Sequence, residues 1–140
     1  MFEYPKPPFR FSVFSTKAHA VWDYLIGVVF IGLPFLLGFA DDGRAQWPMV
    51  MAGVLVLLLA TVTDYEGGLF RRVLMTLHLG LDRLIGSLLG ASPWLLGFSD
   101  RVYLPHLILG LLILTLGLLT RLIPPIEKQC VRYETCLINR

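Results

Sequence analysis

Two pairs of residues hold most of the chemical potential of this 140-residue chain. His19 precedes Asp23 and His78 precedes Asp82, each by four positions. On a helix that spacing stacks imidazole and carboxylate on one face, a turn apart. The carboxylate then orients the ring, as it does around bound metals. If the two pairs meet, two histidines and two aspartates converge on a divalent metal, or the two histidines ligate a haem iron. A plain structural reading competes: aspartate near a helix N-terminus is favoured by the helix dipole, and a charge at the membrane–water interface costs little. The sequence requires no cofactor and identifies no catalytic residue, since it holds no nucleophile elbow, metalloprotease helix or phosphate loop. Cys130 and Cys136, with five residues between them, fit no zinc or redox signature and read as ordinary thiols.

The elements that must position these pairs follow from composition. The chain is 56% hydrophobic and only 16% charged, against about 25% charged in soluble domains, with a mean hydropathy of +0.70. Half of it lies in four windows without Asp, Glu, Lys or Arg: Tyr24–Ala40, Ala45–Thr63, Leu84–Ser99 and Val102–Thr120. A soluble fold of this size could not bury so much apolar surface. A bilayer core takes roughly 20 helical residues per crossing and tolerates no open sheet edge. The expectation is an all-α, four-transmembrane-helix bundle, with helices near 20–39, 46–64, 77–98 and 102–122. The corresponding divisions are an N-terminal segment 1–19, a membrane unit 20–64, a linker 65–76, a second membrane unit 77–122 and a tail 123–140. Residues 1–20 lack the apolar core of a cleavable signal, so the mature protein is expected to keep them. Of the twelve Lys and Arg residues, only Arg44 and Arg101 fall at the end opposite the termini. The positive-inside rule then puts both termini in the cytoplasm of a cell that holds the protein in its inner or plasma membrane. The net charge of +2 and the lack of a basic block argue against a nucleic-acid partner.

The chain repeats itself. HAVWDYLIGVVFIGLPFLLGFAD, from His19 to Asp41, aligns with HLGLDRLIGSLLGASPWLLGFSD, from His78 to Asp100, at an offset of 59. Past the hairpin the match continues at an offset of 57, pairing Arg44 with Arg101, Pro48 with Pro105, Gly53 with Gly110 and Thr63 with Thr120. Each copy crosses twice, so the architecture is two tandem parallel helical-hairpin repeats about a pseudo-two-fold axis along the membrane normal, unlike the inverted repeats of many transporters. Equivalent residues therefore lie at equal depth.

The stretch Ser92-Pro93-Trp94-Leu95-Leu96-Gly97-Phe98 resembles the signature of the SPW-repeat membrane proteins, over about residues 19–122. The first copy departs from it, with Leu33-Pro34-Phe35 in place of Ser-Pro-Trp. The resemblance implies a small membrane protein of two-helix repeats and implies no reaction.

The remaining recurrent residues read as structural. Pro34 and Pro93 deprive the carbonyls of Phe30 and Leu89 of their helical donors, so the helix kinks or ends. Ser92 is placed to bond backwards along its helix, and Trp94 to hold the bent end at the outer interface. A hinge or small outward cavity beside them is the functional alternative. Gly27, Gly53, Gly86, Gly90 and Gly110 allow close helix approach, within one bundle or between copies. His106 has Met49 as its counterpart and reads as an interfacial histidine. No charged residue lies near the midplane, where ion pathways betray themselves. The favoured reading is a non-enzymatic accessory or scaffolding subunit, partnered by the lipid bilayer and by a homo-oligomer or larger membrane complex. A metal- or haem-binding protein and a small-molecule or lipid carrier are the alternatives.

Overall fold

The computed structural model describes residues 15–65 and 67–120. The termini, with Cys130 and Cys136, lie outside the described residues. Four helices follow one another: α1 (Thr16–Leu36), α2 (Gly43–Val62), α3 (Met75–Leu95) and α4 (Leu104–Leu119). Among the described residues there is no strand, only an isolated parallel bridge between Thr63 and Val73. The fold is all-α, as the apolar windows predict.

Every helix sits slightly off its expected limits, for local reasons. α1 starts earlier because the Ser15 hydroxyl caps it, accepting from the Ala18 N–H at 3.3 Å. Asp42 does the same for α2 through Arg44 N–H. α1 and α3 stop earlier, at Leu36 and Leu95, through one device used twice. Gly38 and Gly97 take left-handed φ values of 71° and 68°. The Phe39 N–H then reaches back to the Pro34 carbonyl at 3.0 Å, and Phe98 N–H to that of Pro93 at 2.9 Å. These are the long bonds of a Schellman termination. The prolines therefore belong to helix ends, not to kinks within a span. The Ser92 hydroxyl donates to the carbonyl of Leu89 at 2.7 Å, the group that Pro93 leaves without a helical donor. Trp94 is exposed, its ring 5.9 Å from that of Tyr103.

The two hairpins close through backbone contact. A Cβ on Gly53 would lie 2.7 Å from the Gly27 carbonyl oxygen. A Cβ on Gly110 would lie 2.6 Å from both the Gly86 oxygen and the Gly90 nitrogen. Any side chain at these repeat-equivalent crossings would push α1 from α2, or α3 from α4. Between hairpins, α2 meets α3 less extensively. The shared core is apolar, centred on Phe30, Met49, Val56, Leu89, Ile113 and Leu116.

His106 is buried within the bundle, near the start of α4, with ring centroids 5.6 Å from Phe39 and 4.9 Å from Phe98. Its Nε2 donates to the Ala45 carbonyl at 2.9 Å, tying α4 to α2. The terminating phenylalanines fold inward around it, which depth along the helix alone does not reveal. Beside Leu89 and Ser92, an apolar groove of about 290 Å³ separates α2 from α3.

Much of the outside of the helices is apolar too. Val21, Val28, Leu58, Leu88, Ile108 and Leu118 are all more than half exposed. A soluble monomer rarely shows so continuous an apolar surface. α1 and α2 are long and apolar enough to cross a membrane. α4 is apolar with 16 residues, and α3 carries His78, Asp82 and Arg83 in its first half.

Candidate metal centre

α1 and α3 begin at the same end of the bundle, and each offers a His/Asp pair from its first eight residues. The structure brings the pairs together. His19 Nε2 stands 3.2 Å from His78 Nε2. Asp82 Oδ2 lies 3.1 Å from both nitrogens. Asp23 closes the other side, with Oδ1 at 3.4 Å from His19 Nε2 and Oδ2 at 3.2 Å from His78 Nε2. One ligand atom from each residue falls within 4.8 Å of all the others. All four residues are at least 96% buried.

Two threonines decide which ring nitrogens face inward. Thr63 and Thr120 cap the C-terminal ends of α2 and α4. Each spends its one hydroxyl proton on its own helix, Thr63 on Leu59 O at 2.6 Å and Thr120 on Leu116 O at 2.7 Å. Each also lies 2.8 Å from a histidine, Thr63 from His78 Nδ1 and Thr120 from His19 Nδ1. Its oxygen can only accept there, so Nδ1 must be the protonated nitrogen. In the neutral ring the lone pair then sits on Nε2. Both lone pairs point at each other and at two carboxylates. Four acceptors facing one point, buried, repel unless a cation or protons sit among them.

A metal ion fits that point by size and charge. A tetrahedral ion bonded at about 2.0–2.1 Å spaces its ligand atoms about 3.3–3.4 Å apart. The nearest His–His and His–Asp separations are 3.1–3.4 Å, with Asp23 turning a different oxygen to each histidine, and one ligand atom per residue keeps the whole set within 4.8 Å. Two neutral imidazoles and two carboxylates carry a charge of −2, which a divalent ion neutralises. Haem does not fit, because nitrogens on opposite sides of an iron stand roughly 4 Å apart with a flat macrocycle between them.

The two aspartates differ in their surroundings. The Tyr65 hydroxyl, on the linker after α2, donates to Asp23 Oδ2 at 3.2 Å. Burial and the nearby Asp23 carboxylate push the Tyr65 phenol well above its ordinary pKa, so it stays a donor. Asp82 Oδ1 is buried and has no partner among the described residues. Arg83 turns away from the centre, its guanidinium donating to the Gly117 carbonyl at 2.9 and 3.1 Å.

Of the residues singled out from sequence, His19, Asp23, His78 and Asp82 form the centre. Gly27, Gly53, Gly86, Gly90 and Gly110 lie at the crossings of the two hairpins, and Pro34, Ser92, Pro93 and Trp94 at the opposite end. Sequence reasoning missed the roles of Thr63, Thr120 and Tyr65. The threonines left a signal, since they recur in register at the offset of 57. Tyr65 left none, because the corresponding position of the second copy is Leu122.

A family model described as the SPW repeat domain matches residues 17–120, taking in all four helices and the centre. No curated protein and no solved structure matches the chain.

Proposed function

The chain belongs to the SPW repeat family, and from that premise we propose that it is a multi-pass membrane protein whose repeats are clasped by one buried divalent metal ion. His19 and Asp23 of the first repeat and His78 and Asp82 of the second supply the ligands. The single observation that carries this reading is the 3.2 Å approach of two Nε2 atoms whose lone pairs are turned inward by Thr63 and Thr120. Four protein ligands leave a tetrahedral ion no open position for a substrate, which is the arrangement of structural rather than catalytic sites. The favoured activity is accordingly non-enzymatic. The ion joins the two hairpins at the end where α1 and α3 start, and the protein serves as a rigid accessory or scaffolding subunit in the membrane. Both termini and the linker face the cytoplasm in this reading, on the distribution of Lys and Arg.

The donor set favours a borderline ion such as Zn²⁺, Fe²⁺, Co²⁺ or Ni²⁺ over Mg²⁺ or Ca²⁺, because half of it is imidazole. Elemental analysis of the full chain, extracted gently in detergent, tests the reading. About one divalent ion per chain is expected, and H19A and H78A variants should lose it. A wild-type protein that is metal-free, and that takes up none of these four ions when they are added, would overturn it.

A further inference from the structure

The linker between the repeats holds a second feature, unrelated to the metal ligands. A helix leaves its last carbonyls without intrahelical donors, and the linker supplies them to α2. Leu69 N–H and Phe70 N–H donate to Thr61 O at 2.8 and 3.0 Å. Arg72 N–H and Val73 N–H donate to Val62 O at 2.7 and 2.9 Å. Asp64 N–H donates to Val73 O at 2.8 Å, beside the Thr63–Val73 bridge. The backbone of 69–73 is thus fixed without using the side chains of 69–72. All four of those side chains point outward. Leu69 is 74% and Phe70 66% exposed, and Arg71 and Arg72 are exposed beside them. Arg71 has φ 47°, a left-handed conformation uncommon outside glycine, and the bonds from the N–H groups on either side hold it there. Among the described residues neither arginine has an acidic partner: the acids within ion-pair reach of an arginine are Asp41 and Asp42, at the far end of the bundle.

We propose that Leu69–Arg72 is a binding site for the headgroup of an anionic phospholipid, in the leaflet at whose surface the linker lies. The chemistry of the four side chains divides accordingly. Leu69 and Phe70, exposed just beyond the C-terminal end of α2, enter the boundary between acyl chains and headgroups. The two guanidinium groups, rigid forks matched to phosphate oxygens, meet the phosphodiester. Two adjacent cations, with no counterion among the described residues, select net negative lipids over zwitterionic ones, whose own cation cancels the phosphate. Each arginine at a charged membrane surface contributes about a fivefold preference. The inference needs the protein to sit in a membrane and is indifferent to the metal.

The test is native mass spectrometry of the full chain in detergent with equal amounts of phosphatidylglycerol and phosphatidylcholine. Wild type should retain phosphatidylglycerol preferentially, by roughly tenfold or more. The R71Q/R72Q variant should lose most of that preference. The L69S/F70S variant should retain less of both lipids without changing their ratio. Should R71Q/R72Q fold poorly, R71K/R72K keeps the charge, loses the fork, and should show a reduced but persistent preference. Equal retention of the two lipids by wild type, or a preference that survives R71Q/R72Q, would overturn the proposal. Displacement of phosphatidylglycerol by inorganic phosphate would also overturn it, marking a site for free phosphate. If the chain proves soluble without detergent, the failure lies in the membrane reading instead.

Discussion

His19 and His78 stand 59 positions apart in sequence and 3.2 Å apart at their Nε2 atoms, each held from behind by a repeat-equivalent threonine. Each repeat contributes the same His/Asp pair to one cluster. Two imidazole lone pairs at that distance repel across a dry interior. In the proposed reading, a shared cation turns that repulsion into a link between two hairpins that otherwise meet through modest apolar contact.

Thr63→Val removes the acceptor behind His78 Nδ1 while keeping the shape of the side chain. Metal affinity should fall about 10–100-fold, the usual cost of losing such a positioning partner. Thr63→Ser should restore most of it. Competition with a chelator of known affinity measures both, and equal behaviour of the two variants would remove the tautomer argument.

Tyr65→Phe leaves one oxygen of the buried Asp23 without its donor, at a cost of about 1.5–3 kcal/mol for a hydrogen bond to a charged group. The phenol also predicts a pH dependence. Its pKa is raised in the fold, so the neutral form is the one folding favours. That stabilisation is present in full below the unfolded value of about 10 and is lost as pH rises above it. Thermal melts in detergent should show wild type losing stability in that alkaline range and Tyr65→Phe losing less.

Gly110 and Gly90 should respond oppositely to alanine. A Cβ on Gly110 meets backbone atoms at 2.6 Å, which cannot yield, whereas on Gly90 the nearest atom is Gly110 Cα at 3.9 Å. Gly110→Ala should destabilise by about 1–3 kcal/mol or more. Gly90→Ala should be neutral or slightly stabilising, through better helix propensity. Equal destabilisation by both would contradict the packing of α3 on α4.

At the other end, Arg101 donates to Asp41 at 2.7 Å and holds its carboxyl below the ordinary aspartate range. Whatever stability this exposed pair adds is present above about pH 4 and fades as pH falls through the lowered pKa. Both groups are exposed, so Asp41→Asn should shift the melting temperature little. An NMR titration should still place the Asp41 carboxyl below its model-peptide value, and a normal value would show that the pair does not persist in solution.

The helices and their duplication were legible because both are local or periodic properties. Runs without charge mark spans, and the 59-residue recurrence of His, Asp, Leu-Ile-Gly and Leu-Leu-Gly-Phe marks the unit. The i, i+4 spacing put each histidine beside its own aspartate, since helix geometry alone fixes that relation. The glycines pointed to close approach, though not to which partner. Convergence of the pairs was beyond any such rule. It depends on how far α1 and α3 rotate about their own axes. That rotation is set by the carbonyl of Gly27 seated against Gly53, that of Gly86 against Gly110, and the side chains filling the space between hairpins. The burial of His106 between Phe39 and Phe98 has the same origin. The sequence by itself determined what each helix would offer and at what depth. Only tertiary packing decided which faces would meet, because side-chain direction across helices is a property of the crossing and not of the helix.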